Sequence, residues 1–420
     1  MSDEHRIERV LIAARGPIVP RLLRHYAAAG VEAVVGFSEA DVEAPWVELA
    51  DFAAYLNGRT AEESYLHPER VVSAAMDAGC DAIHPGATRL AESVELYHLA
   101  SNANVAVITA DPTIVARASN RLFQRGMAEA AHIPVLPGSG PIGLEQDGLE
   151  EALPLGLPVE ICTMQGAPLA KVEQLEHVEA TLASMRSRAK QLSGSPDVFL
   201  RPGRPPSAHA RTTLVVAERV GRILPLGTTT ATLCGPSGHP WVEQLGPDTR
   251  PSDATLGRQA EELARQLRWV SVGAARWSIL GEDATLVEMS TRLPLNVGLY
   301  EAVHGLDLLG PQLALLQGRP LGWGDTDGQP ARWGCQARVV HSLQEQDTAT
   351  LDEVHVPSGA VCAVAAGQTL SCDTHPVLMT VTAVGEDLES ARANLAAQLA
   401  EVHIHGVPTN LASLRQHLPG

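Results

Sequence analysis

Val287-Glu288-Met289-Ser290-Thr291-Arg292 sets one acid among apolar neighbours and follows it with a polar pair and an arginine. Residues 274–279 and 284–289 read as two strands, and the turn between them centres on Glu282, so the stretch is the return arm of a hairpin. Arg276 stands six residues before that centre and Glu288 six after it, which places the two opposite each other. A register displaced by one residue is the alternative. Opposite a second carboxylate, Glu288 would be half of a metal site; opposite a guanidinium it forms an ion pair.

Upstream of the hairpin, the apolar run 9–13 ends at Ala14-Arg15-Gly16, and a helix-period segment with Ile18, Leu22 and Leu23 on one face stops at Gly30. A strand over 31–37, a helix over 68–78, a strand over 82–84, a helix over 90–100 and a strand over 105–109 follow. That alternation predicts a parallel sheet with covering helices, a Rossmann-like first domain. Residues 111–131 read as a helix pair. Pro- and Gly-rich edges at 137–141 and 202–206 then enclose a helical stretch, 172–192, which suggests a small movable domain. Strands over 212–216 and 221–226, a helix over 253–272, the hairpin and a helix over 303–317 come next. Strands from Arg332 onward and helices over 388–402 and 411–417 complete the chain.

Composition narrows the partners. The chain has 420 residues, 45% of them hydrophobic, and a net charge of −18 without a basic tract, which disfavours nucleic acid and anionic membranes. Lys171 and Lys190 are its only lysines. Met1-Ser-Asp-Glu-His-Arg lacks the apolar core of a secretory signal, and no apolar run is long enough to span a membrane. The six cysteines are scattered with no C-x-x-C spacing, as expected of buried thiols in a cytoplasmic protein.

The order of these pieces resembles the biotin carboxylase branch of the ATP-grasp superfamily over essentially the whole chain. Val10-Leu-Ile-Ala-Ala-Arg-Gly16 resembles that family's Ile-Ala-Asn-Arg-Gly turn, and Phe37-Ser-Glu-Ala-Asp41 its Tyr-Ser-Glu-Ala-Asp. Ile83-His-Pro-Gly86 matches its Ile-His-Pro-Gly, and Pro134-Val-Leu-Pro-Gly-Ser139 the entry to its lid. Glu288-Met-Ser-Thr-Arg292 parallels Glu-Met-Asn-Thr-Arg, and Gly406-Val-Pro-Thr-Asn410 parallels Gly-Ile-Lys-Thr-Asn. The resemblance implies an α/β (α+β) ATP-grasp fold in four parts. These are a Rossmann-like N-terminal domain over 1–115, linker helices and a degenerate lid over 116–205, an ATP-grasp core over 206–330, and a shortened C-terminal domain over 331–420.

Such an enzyme activates bicarbonate with ATP and carboxylates biotin, which needs a phosphate cradle, paired carboxylates for Mg²⁺ and a base with arginines around bicarbonate. The lid's Gly-rich loop is Thr163-Met-Gln-Gly-Ala-Pro-Leu-Ala170, with one glycine and a proline that has no N–H; Cys162 stands where the family has a lysine. The second nucleotide lysine is replaced by Arg121, which still offers a positive charge. Arg276 takes the place of the acid that would share Mg²⁺ with Glu288, and a positive charge about 4 Å from a dication costs about 8 kcal/mol at an effective dielectric of roughly 20. Phe199-Leu-Arg-Pro202 replaces the adenine-edge Met-Glu-Lys, and Pro236-Ser-Gly-His-Pro240 ahead of Trp241-Val-Glu243 loses several cations. His209 matches the family's histidine, but its glutamate partner is Arg211. Asn296 occupies the place of the general base.

Arg292 and Arg338 either mark a remnant anion pocket or are structural, paired with Glu301 or Glu288. Glu92 reads as a helix-surface acid and His403-Ile-His405 as a strand end or exposed turn.

The leading expectation is a protein that has lost ATP-dependent carboxylation and serves as a structural or regulatory subunit of an acetyl-CoA or acyl-CoA carboxylase. Its partners would be an active biotin carboxylase or the biotin carboxyl carrier protein, in a homo- or hetero-dimer. On this reading no cofactor or metal is bound, no catalytic set is intact, and Arg121, His209 and Glu288 are the remains of a nucleotide site. The alternatives are an active ligase with an altered site, using ATP, Mg²⁺ and biotin, and an anion or nucleotide sensor without turnover.

Overall fold

Arg9–Ile12 is buried almost throughout and forms a parallel strand paired with Glu32–Phe37 on one side and Ala82–His84 on the other. Helix Ile18–Ala29 buries Ile18, Val19, Leu22 and Tyr26, and it ends at Gly30 in the left-handed conformation, φ 69°. Strand Phe52–Tyr55, which is largely exposed, and Ala106–Val107 close the two edges of a five-stranded all-parallel sheet. Phe52-Ala-Ala-Tyr55 has only four residues and no polar alternation, so apolar patterning did not reveal it. This computed structural model describes residues 7–143, 148–193, 195–203, 209–236, 238–247, 251–324 and 330–418. The charged start of the chain, residues 204–206 of the second Pro-rich edge and Ser237 lie outside the described residues.

Helices Pro112–Ser119 and Arg121–Ala130 form the expected pair, each capped by a side chain, Asp111 and Asn120. The segment between the Pro-rich edges holds a three-stranded sheet, Pro168–Val172, Val159–Thr163 and Val198–Pro202, covered by helix Val178–Ser193. The helix expected over 172–192 therefore starts six residues later, because Pro168–Val172 is a strand.

The larger sheet has eight strands in the order Asp283–Ser290, Ser271–Leu280, His209–Ala217, Ile223–Cys234, Pro240–Leu245, Trp333–Val340, Val377–Gly385 and Ala360–Cys362. It runs without a break across residue 330, so the expected core and C-terminal domains share one sheet. Beneath it lie two hydrophobic clusters, one continuous with the N-terminal sheet and one under the strands after Trp333.

Two helical expectations need correction. The helix expected over 253–272 is Pro251–Gln266, and Ser271 and Val272 already belong to a strand. The helix expected over 303–317 is two, Val297–His304 and Gly310–Leu316, parted where Gly305 takes φ 70°.

Ser271 opens its strand at φ 108°, a region that side-chain-bearing residues seldom enter, and its buried hydroxyl has no hydrogen-bond partner among the described residues. Ser271→Gly is expected to raise stability by about 1 kcal/mol by releasing this strain. An unfolding midpoint in urea that falls below wild type would contradict that account.

Candidate functional site

The hairpin sets Arg276 against Glu288, by a different route from the one predicted. Leu280 pairs with Asp283, so the turn centres between Gly281 and Glu282, and that register alone would bring Arg276 opposite Val287. An extra residue at Val287 forms a β-bulge and moves the ladder by one, which brings Glu288 opposite Arg276.

Glu288 is 7% exposed and meets three guanidinium groups. Arg276 Nη1 donates to Oε1 at 3.0 Å, Arg292 Nη2 reaches the same oxygen at 3.2 Å, and Arg121 Nη2 lies 2.5 Å from Oε2. Glu92 is a second member. Arg292 Nε lies 3.3 Å from its carboxylate, Arg121 Nη2 lies 3.6 Å away, and Ser290 Oγ donates to it at 2.7 Å. Glu92 is thus a buried acid rather than the surface acid expected: the 3₁₀ turn Arg89–Glu92 ends at Ser93, which caps a separate helix, Val94–Asn102. Burial opposes ionisation of Glu288, but Arg121, Arg276, Arg292 and Arg89 outweigh it and hold its carboxyl well below the usual carboxylate range. Gln124, one turn after Arg121, clamps the hairpin by donating to the Met289 carbonyl and accepting from the Met289 N–H, both at 2.7 Å.

A second cluster lies on the same face of the sheet. Arg276 is opposite Thr212, Thr212 opposite Thr229, Ala231 opposite Glu243, and Glu243 opposite Gln336, two residues before Arg338. Arg338 pairs with Glu243 and also donates to the Pro240 carbonyl at 2.8 Å. Asn296 Nδ2 donates to Glu243 at 2.8 Å, and Thr229 Oγ1 donates to the same carboxylate oxygen at 3.2 Å. Asn296, where the resemblance places a base, is a buried donor. Arg292 and Arg338 are each committed to buried carboxylates, and Glu301, weighed as their partner, binds Arg21 instead.

His209 does not join either cluster. It pairs with Ile279 on the opposite face of the sheet, beside Arg211, which faces Trp277 and binds Asp253 of helix Pro251–Gln266. Of Arg121, His209 and Glu288, only Arg121 and Glu288 meet. Gln124 carried no sequence signal beyond its spacing from Arg121. Glu243 had one, in the Trp241-Val-Glu243 match.

Comparison with known proteins places this architecture. Residues 6–115 match the family model for the biotin carboxylase N-terminal domain. Biotin carboxylase 2 of Bacillus subtilis is 26% identical over 97% of this chain and 95% of its own. The methylcrotonoyl-CoA carboxylase alpha subunit of Glycine max is 26% identical over 99% of this chain and 59% of its own. The crystal structure of a Campylobacter jejuni biotin carboxylase in complex with a β,γ-ATP compound superposes with a TM-score of 0.86, at 21% identity over 99% of this chain and 96% of that one. The chain has the biotin carboxylase fold. Its mixed α/β architecture is that of the solved biotin carboxylase structures.

In this biotin carboxylase fold the loop between Val159–Thr163 and Pro168–Val172 is a closed turn. Gly166 N donates to the Thr163 carbonyl at 2.7 Å, Thr163 N to the Ala167 carbonyl at 2.9 Å, and Ala167 N to Thr163 Oγ1 at 3.1 Å. Arg121 N binds the Met164 carbonyl at 3.1 Å and pins the turn to the linker helix. The loop's glycine and alanine N–H groups are therefore spent internally. Cys162 is fully buried, and burial pushes its thiol up to about 11. Between Arg121, Gln124, Phe199, Leu286 and Val287 the cavity is about 40 Å³, against the few hundred Å³ of ordinary ligand pockets. A wider cleft of about 860 Å³ lies between the lid and the N-terminal domain, with Arg89, Glu92, Gln165, Arg188 and Lys190 on its walls.

Proposed function

We propose that this chain is a biotin carboxylase-like subunit of a biotin-dependent acyl-CoA carboxylase assembly that has lost ATP-dependent carboxylation and acts in a structural or regulatory role. The observation that carries the reading is Glu288: both its oxygens are taken by guanidinium groups, and an arginine stands where a metal-sharing acid is needed. Mg-ATP does not fit this donor set. A divalent cation here would have to displace three guanidinium groups, and the Gly166 and Ala167 N–H groups that a phosphate would need are bonded within their own turn. Asn296 lacks a proton-accepting state at neutral pH, which removes the base for bicarbonate. The four-part division at residues 115, 205 and 330 is proposed on the same resemblance, with the last two parts sharing the eight-stranded sheet.

The relatives support the assembly, since one of them is named as a subunit of methylcrotonoyl-CoA carboxylase. A partner carboxylase subunit or carrier domain, in a homo- or hetero-dimer, follows from that likeness. The open cleft beside Glu92 supports a second reading, an active ligase with an altered site, because it has the volume for a substrate.

Bicarbonate- and biotin-dependent ATP hydrolysis separates the two. No turnover above background, and no change in melting temperature with millimolar Mg-ATP, is expected. Biotin-dependent hydrolysis at a few turnovers per minute would overturn the proposal.

A further inference from the structure

The residues His403-Ile-His405, read from sequence as an exposed strand end, form the strand His403–His405, and it pairs antiparallel with Glu353–His355. Glu353 stands opposite His405, Val354 opposite Ile404, and His355 opposite His403. Alternation then fixes two faces. Val354 and Ile404 turn inward onto the C-terminal hydrophobic cluster. The outer face carries four exposed side chains at the corners of a quadrilateral: Glu353, His355, His403 and His405.

The four are already neighbours. The rings of His355 and His403 are 5.9 Å apart between centroids, those of His403 and His405 are 6.5 Å apart, and His405 Nε2 lies 3.9 Å from Glu353 Oε2. Nothing in the core requires three imidazoles on this face, because the packing is done by Val354 and Ile404. Directly opposed residues on a ribbon have Cβ atoms about 5 Å apart, and a metal–imidazole bond is about 2.0 Å long. That geometry allows one ion above the ribbon to be reached from two positions along one strand and from the residue across it.

We propose that this outer face is a binding site for a divalent d-block cation, zinc foremost, with His355, His403 and His405 as ligands and Glu353 as fourth ligand or as acceptor for a ligating ring. Three imidazoles and a carboxylate are a donor set that suits zinc, nickel or copper, and not magnesium or calcium. As the side chains stand, no three His, Cys, Asp or Glu groups among the described residues are placed to hold a metal ion. On this proposal the exposed rings turn about their own side-chain bonds to converge on the ion. A bound ion would tie the strand Glu353–His355 to the strand that leads into the terminal helix Leu411–His417. The site is independent of the Glu288 cluster, and its test does not depend on the proposed function.

The experiment is calorimetric titration of ZnCl₂ into chelator-stripped, desalted protein. One site per chain is expected, with affinity at least tenfold lower in His403→Ala and in His355→Ala, and no binding there in the triple His→Ala variant. Cys372→Ser is expected to bind as wild type does, which separates this site from the one exposed thiol among the described cysteines. Electron paramagnetic resonance of Cu²⁺ on wild-type protein needs no variant, and splitting from at least two imidazole nitrogens is expected. A triple variant that binds zinc as tightly as wild type, wild-type protein that binds none at 100 µM, or a copper spectrum without nitrogen splitting overturns the proposal.

Discussion

Glu288→Ala is expected to destabilise the protein by about 3–5 kcal/mol, the usual cost of stripping one partner from a buried charge cluster. The substitution leaves Arg121, whose side chain is 7% exposed, and Arg292 with only the Glu92 carboxylate between them. Arg276→Ala makes the control. Its side chain is 46% exposed, so losing it should cost no more than about 1 kcal/mol even though it touches the same oxygen. Urea unfolding of the two variants should therefore differ severalfold in their loss of stability; equal losses would mean that the Arg276 pair, and not the buried Arg121 and Arg292, supplies what Glu288 contributes. The pH dependence carries the same sign. The folded carboxyl titrates below its unfolded value, so its stabilisation is complete above the ordinary glutamate range and fades as pH falls through that range toward the depressed folded value. Wild type should lose stability below about pH 4 more steeply than Glu288→Gln, which has no such proton to take up.

Glu243→Ala should cost a similar amount, about 3–5 kcal/mol, through a different failure. Glu243 is 3% exposed and is the common acceptor for Arg338, Asn296 and Thr229. Removing it buries the Arg338 charge without its carboxylate and leaves the Asn296 amide only its 3.3 Å bond to Thr229 Oγ1, its own Oδ1 having no partner among the described residues. Glu243→Gln restores shape and one acceptor but not the charge, so it should recover only part of the loss. A thermal shift near zero for Glu243→Ala would show that water enters to solvate Arg338.

Much of the architecture was legible because its signals were local. Gly30 stopped the first helix where a left-handed residue was needed, and the helix pair read over 111–131 is found as Pro112–Ser119 and Arg121–Ala130. The Arg276–Glu288 pairing was reached through two offsets that cancel, a turn centred half a residue early and a bulge at Val287. Bulges leave no mark in apolar periodicity, so that agreement owed something to chance. Glu92 was misread because its burial comes from a hairpin nearly two hundred residues away in the chain, as the bond from Ser290 shows. Strand ladders decide which face a side chain takes, and the ladder that turns His209 away from Glu288 appears only once its partner strand is known.

Strands Pro240–Leu245 and Trp333–Val340 are neighbours in the eight-stranded sheet, and Val377–Gly385 lies beyond them. The parallel sheet at the start of the chain can assemble as soon as Ala106–Val107 has left the ribosome. The larger sheet cannot: its first five strands present a bare edge at Pro240–Leu245 until Trp333–Val340 has been made. During synthesis that edge is the exposed surface open to mispairing with other nascent chains, so the final stage of folding is where this protein most depends on protection from its neighbours.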